Sequence, residues 1–118
     1  MHKKQIGRWG ETVACIYFWV RGYRIVARNV KIGRGELDIV LRRGKELRIV
    51  EVRTVTTAFL ADATLAVNVR KQKQVLKLAK HYFSRYGKPD DQFYCDIVGI
   101  RLYFGLVPQI RWLPSEIR

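Results

Sequence analysis

The sequence predicts an α/β or α+β sandwich, a mixed sheet with helices on its faces. Two observations carry this. Apolar residues recur at helical spacing in two segments, about residues 6–21 and 69–86. Strand-like runs, three before the second helix and two after it, are bounded by glycine-bearing turns. The order helix, three strands, helix, strand, strand calls for one sheet against which each helix buries its apolar face.

Each element has its own reason. In the first helix Trp9, Val13, Ile16, Tyr17 and Val20 follow helical spacing, and Gly22 closes it as a C-terminal cap. Tyr23 to Val30 reads as a strand. The turn Gly33-Arg34-Gly35 opens a second strand, about 35–42, and the tight turn Arg43-Gly44-Lys45 opens a third, about 46–54. These three form an antiparallel meander. Thr54, Thr56 and Thr57 then favour strand or loop, and Ala58 to Ala66 favours a short helix. The second helix is the clearest element: Val75, Leu78, Ala79, Tyr82, Phe83 and Tyr86 make one buried face, and Gly87-Lys88-Pro89 stops it. A strand at about 92–102, a hairpin turn at Gly105 and a short strand from Gln109 to Leu113 complete the chain.

The 118 residues predict one domain, large enough to bury a core without a disulfide or zinc staple. An apolar fraction of 48% argues against disorder. Lys and Arg number 23 against 10 acids, a net charge of +13, which points to a polyanion partner, above all DNA or RNA. No run approaches the roughly 20 apolar residues of a transmembrane helix, and the apolar stretch Val13 to Val20 ends in Arg21-Gly22 without a small-residue cleavage site. A cytoplasmic protein with no membrane partner is the expectation. Cys15 and Cys95 read as reduced core residues, and two isolated histidines, His2 and His81, do not make a zinc site.

Against this basic background two acids stand inside apolar strands: Asp38 in Gly35-Glu36-Leu37-Asp38-Ile39-Val40 and Glu51 in Ile49-Val50-Glu51-Val52-Arg53. An unpaired carboxylate there is costly and calls for a cation. Strand alternation puts Glu51 and Arg53 on the face of Leu47 and Ile49, and puts Glu36, Asp38 and Val40 together opposite Leu37, Ile39 and Leu41. With Asp38 and Glu51 on one face, the pair can grip a hard metal such as Mg²⁺. The alternative is a buried salt bridge from Asp38 or Glu51 to Arg53, which needs no metal. Lys71 lies on the buried stripe of the second helix at its first turn and can reach the acids. Arg70, Lys73, Lys77 and Lys80 fall outward, as a phosphate-binding row or as a solvated face.

Three ordered pieces resemble the YraN-like family of predicted endonucleases, in the restriction-endonuclease-like superfamily with its PD-(D/E)XK motif. They are Gly7-Arg8-Trp9-Gly10-Glu11 with Ala14, Gly22-Tyr23 and Asn29; Gly35-Glu36-Leu37-Asp38-Ile39-Val40 with Val50-Glu51-Val52-Arg53; and Lys71-Gln72-Lys73 with Ala79, Tyr82, Phe93 and Asp96. The resemblance implies a restriction-endonuclease-like three-layer sandwich, with a mixed central sheet flanked by helices. It implies Mg²⁺ (or Mn²⁺) on Asp38, Glu51 and the Val52 carbonyl, with Glu11 of the first helix completing the site. On a helical wheel, however, Glu11 falls away from the stripe centred on Trp9 and Val13.

One departure matters. Arg53 stands where the pattern has a lysine, and arginine does not lose its proton. Three outcomes are open: Arg53 acts electrostatically, Lys71 substitutes from the helix, or catalysis is lost and a nucleic-acid-binding module remains. Likeness to Holliday-junction resolvases implies branched DNA and a homodimer, with Trp112 and Tyr103 as candidate contact residues. A third reading is a basic subunit docked on an acidic protein or ribosomal RNA. No nucleotide-binding loop or nucleophilic triad is present in the sequence.

Overall fold

The computed structural model describes residues 3–55, 69–102 and 107–117. Helix α1 spans Lys3–Trp19. It ends in a Schellman motif. The Tyr23 N–H donates to the Phe18 carbonyl and the Gly22 N–H to the Trp19 carbonyl, with Gly22 at φ 90°. The Phe18 and Tyr23 rings meet edge to face at 5.6 Å, supplying the apolar contact that accompanies the motif.

Strands β1 (Arg24–Ile32), β2 (Gly35–Arg43) and β3 (Glu46–Val55) form the expected antiparallel meander. Its two tight turns carry Gly33 and Gly44 at positive φ, a region that costs other side chains steric strain. Helix α2 spans Val69–Tyr86. Strand β4 (Gln92–Arg101) returns parallel to β3, and β5 (Gln109–Leu113) and the two-residue β6 (Glu116–Ile117) both pair antiparallel with β4. The sheet order is β1-β2-β3-β4-β5, with β6 beside β5 along the same edge of β4. Ala58 to Ala66, Tyr103 and Gly105 lie outside the described residues. The sequence pattern did not reveal β6.

Each face of the sheet has its own core. Ala14, Phe18 and Tyr23 pack on Ile39, Leu41, Val50 and Val98 on one side. On the other, Val75, Ala79, Tyr82 and Phe83 pack on Leu37, Val40, Leu47 and Ile49. The architecture is therefore α/β in three layers with a mixed sheet, compatible with a restriction-endonuclease-like sandwich. No helix among the described residues is long and apolar enough to cross a membrane.

Three expectations are corrected. On α1 the buried face is Gly10, Ala14, Cys15 and Phe18, while Trp9, Ile16, Trp19 and Val20 are exposed. The reason is close approach: a side chain at Gly10 would overlap Thr54 of β3. Leu37 lies in the α2 core although Ile39 lies in the α1 core, so strand alternation breaks between them. Trp112 is not an open contact surface. Its ring packs edge to face on Phe18 at 5.1 Å, and its Nε1–H donates to the fully buried Asp96 at 2.9 Å. Asp96 also accepts from Arg48 Nη1 at 2.8 Å and from the Ser115 N–H at 2.9 Å, tying β3, β4 and the β5–β6 connection together.

Candidate functional site

The break in β2 builds the site. The β2–β3 ladder runs from Arg43↔Glu46 to Ile39↔Val50 and stops there. One residue further on, Asp38 Oδ2 accepts the Val52 N–H at 2.8 Å, where a strand carbonyl would otherwise bond. Opposite Asp38, between the pairs Arg28↔Ile39 and Val30↔Leu37, Asn29 takes φ 52°, a left-handed conformation that asparagine tolerates better than most residues. The N–H and C=O of one strand residue point to the same edge. The Val52 carbonyl therefore faces the gap opened beside Asp38.

Glu51 enters the same gap from β3 and is 6% exposed. Its Oε1 accepts from Arg53 Nη2 at 3.1 Å and lies 3.7 Å from Lys71 Nζ. Lys71 stands at the first turn of α2 with its side chain 60% exposed, so it reaches in from the rim rather than lying buried on the helix stripe. Asp38, Glu51 and Lys71 line one cavity of about 300 Å³, with Arg34, Glu36 and Gln74.

Glu11 joins the group from α1. It is half-buried, 3.9 Å from Arg28 Nη2. With its nitrogen turned toward its acceptors, the Asn29 amide donates to Glu11 Oε1 at 3.0 Å and to Glu36 Oε1 at 2.9 Å. The rotated face of α1 explains this position. Glu11 is next to the buried Gly10 and one turn before Ala14, not on the far side of the helix.

Electrostatically the site is a crowded pair of acids. Burial pushes the Asp38 carboxyl up to about 6; the Val52 N–H and Lys71 oppose the rise, while the charges of Glu11 and Glu51 add to it. Burial also raises Glu11, against the lowering effect of Arg28 and Asn29. Among the described residues no three His, Cys, Asp or Glu side chains group closely enough to hold a metal by themselves. The oxygens that could hold a metal here are the two carboxylates and the Val52 carbonyl. That set fits Mg²⁺, which keeps several waters and takes few protein oxygens. A dication beside Asp38 and Glu51 would favour the ionised form of Asp38, which burial opposes.

Comparison with known proteins fits this frame. The family model described as "Uncharacterised protein family UPF0102" matches residues 10–100. The chain belongs to the UPF0102 family. It is 35% identical to the UPF0102 protein of Geobacter metallireducens over 98% of this chain and 93% of that protein. It is 38% identical to the UPF0102 protein of Geobacter sulfurreducens, over 97% of this chain and 89% of the other. UPF0102 is the YraN-like group that the motifs resembled, and the matched span contains Glu11, Asp38, Glu51, Arg53 and Lys71.

In this UPF0102 chain Asp38, Glu51 and Lys71 line one cavity, Arg53 and the Val52 N–H bond to Glu51 and Asp38 respectively, and Glu11 stands outside that lining beside Arg28 and Asn29. The structure leaves Lys73 and Lys80 on the other shoulder of α2, where they line a cavity of about 640 Å³ against β4 to β6 that shares Glu51 with the carboxylate cavity. Lys77 and Arg70 are exposed on the same helix. Arg34 and Gln74 line the site but escaped sequence reasoning, because a turn residue and a polar helix residue carry no pattern. Asn29 had a signal: it is an asparagine inside a strand, opposite an acid.

Proposed function

We propose that this chain is a divalent-metal-dependent endonuclease acting on DNA phosphodiester bonds. One observation carries the reading: half-buried Asp38 and buried Glu51, carboxylates from adjacent strands, line one cavity with Arg34 and Lys71, inside a protein of net charge +13. A bound Mg²⁺ or Mn²⁺ supplies an activated water and offsets charge on the scissile phosphate. Asp38, Glu51 and the Val52 carbonyl would hold that ion.

The chain's own residues do the rest. Arg53 Nη2 is engaged with Glu51, while its Nε is buried without a hydrogen-bond partner among the described residues. Arg53 keeps its proton at any working pH, so it acts as an electrostatic clamp on the scissile phosphate rather than a base. Lys71, on the rim, meets the same phosphate from the α2 side. Glu11, through Asn29, fixes the kink in β1 and β2 that turns Asp38 into the gap. By analogy with Holliday-junction resolvases of the superfamily that the motifs resemble, the proposed substrate is branched DNA and the proposed assembly a two-fold homodimer.

The Arg53–Glu51 pair at 3.1 Å also favours a second reading, a nucleic-acid-binding module whose lysine has been replaced. Calorimetric titration with Mn²⁺ and DNA separates the two. The nuclease binds metal, and Asp38→Ala removes that binding. The module binds DNA in a salt-sensitive way that neither Mg²⁺ nor Asp38→Ala changes.

A further inference from the structure

A second cleft, of about 280 Å³, lies between the β1–β2 turn and the C-terminal half of α2. Its polar lining is Lys31, His81 and Arg85, and none of its lining residues is acidic. At its end Tyr86 is 55% exposed. The Tyr82 ring stands behind it at 4.7 Å, and the Arg85 guanidinium lies 5.5 Å from its centroid. Even with Tyr82 and Arg85 beside it, more than half of Tyr86 stays open to solvent.

This cleft adjoins the carboxylate cavity. Ile32 and Gly33 line one and Arg34 and Gly35 the other, while on α2 the lining passes from Leu78 to His81 and Tyr82. Between them the turn presses on α2, since any side chain at Gly35 would overlap Leu78. At about 1.5 Å per residue, α2 runs about 22 Å from Lys71 to Tyr86, room for several nucleotides. Cations without competing carboxylates suit phosphates. An exposed aromatic ring flanked by arginine suits a base face, and only an unpaired base has a face to offer.

We infer that this cleft is a subsite for an unpaired nucleic-acid strand, with phosphates on Lys31 and Arg85 and a base stacked on Tyr86, leading into the carboxylate cavity. The inference deepens the nuclease reading and rests on it for the strand's destination. It assigns the strand to the seam between α2 and the β1–β2 turn, not to the outward row of Lys73, Lys77 and Lys80.

The test is fluorescence anisotropy with a labelled single-stranded oligodeoxynucleotide and its blunt duplex, in EDTA so that nothing is cut. Tyr86→Ala weakens single-strand affinity by about five-fold or more, the low end for one base stack, while duplex affinity changes less than about two-fold. Tyr86→Phe keeps wild-type affinity. Lys31→Ala with Arg85→Ala flattens the salt dependence by about 0.7 for each phosphate no longer neutralised. Single-strand binding by Tyr86→Ala equal to wild type, or equal loss for both ligands, overturns the subsite; metal-dependent cleavage by the wild type then still upholds the nuclease. Tyr86-dependent binding in a protein that never cuts upholds the subsite and removes the nuclease. A wild type that binds neither oligonucleotide overturns both.

Discussion

The fold disfavours the charge on Asp38, so neutralising it probes the site without any substrate. Its carboxyl rises from 3.8 to about 6, first through burial and then through Glu11 and Glu51. At about 1.4 kcal/mol per pH unit, ionised Asp38 costs the fold about 3 kcal/mol. The sign follows from proton counting. Between the two values the folded state holds a proton that the unfolded state has released, so stability falls as pH rises from about 4 to about 6 and stays low above that. Asp38→Asn removes the charge and keeps an oxygen for the Val52 N–H. The bond from the Val52 N–H is already counted in that shift, so the metal-free variant gains about 3 kcal/mol at about pH 8 and less than about 1 kcal/mol at about pH 4. Thermal unfolding in EDTA, followed by circular dichroism, reads this at about 4 °C per kcal/mol for a chain of this size. Added Mn²⁺ then stabilises the wild type at the higher pH and leaves the variant unchanged. A variant no more stable than wild type at about pH 8, or equally stabilised at both pH values, would refute the electrostatic account.

Three further outcomes follow. Arg53→Ala lowers metal-dependent cleavage by on the order of a hundred-fold, the scale of one lost electrostatic donor, while Mn²⁺ binding persists; unchanged cleavage removes Arg53 from the site. Asp96→Ala destabilises by about 3–5 kcal/mol in urea unfolding, because Arg48, Trp112 Nε1 and the Ser115 N–H lose a shared buried acceptor; a loss below about 1 kcal/mol would contradict that role. Gly10→Ala destabilises by about 1–3 kcal/mol, since its Cβ would meet the stiff Thr54 side chain; a neutral result would show that α1 has room to shift.

Much of the fold was legible because local chemistry and tertiary packing agree. The apolar stripe of α2 is the stripe that packs, and the glycines of the meander sit where its turns need positive φ. The site was legible as a conflict: acids inside apolar strands of a basic chain, which meet in one cavity with Lys71. What failed did so for physical reasons. Hydrophobic patterning weighs large side chains, so Trp9 and Ile16 drew the α1 stripe toward themselves. Small residues, Gly10 and Ala14, mark the real contact because they let the helix approach the sheet. That same rotation hid Glu11's position. Leu37 was misplaced because alternation holds only until a strand kinks, and the kink at Asn29 and Asp38 depends on side-chain bonds across strands. Trp112 looked like surface because only the tertiary partner Asp96 satisfies its indole N–H.

The most direct test of the central claim is cleavage of labelled single-stranded, duplex, flap and four-way-junction DNA with Mg²⁺ or Mn²⁺, by wild type beside Glu51→Ala. The account predicts metal-dependent cuts by the wild type that disappear in the variant while DNA binding remains. DNA bound but left uncut by wild type and variant alike would contradict it, and would leave a basic binding protein in which Glu51 serves only as the partner of Arg53.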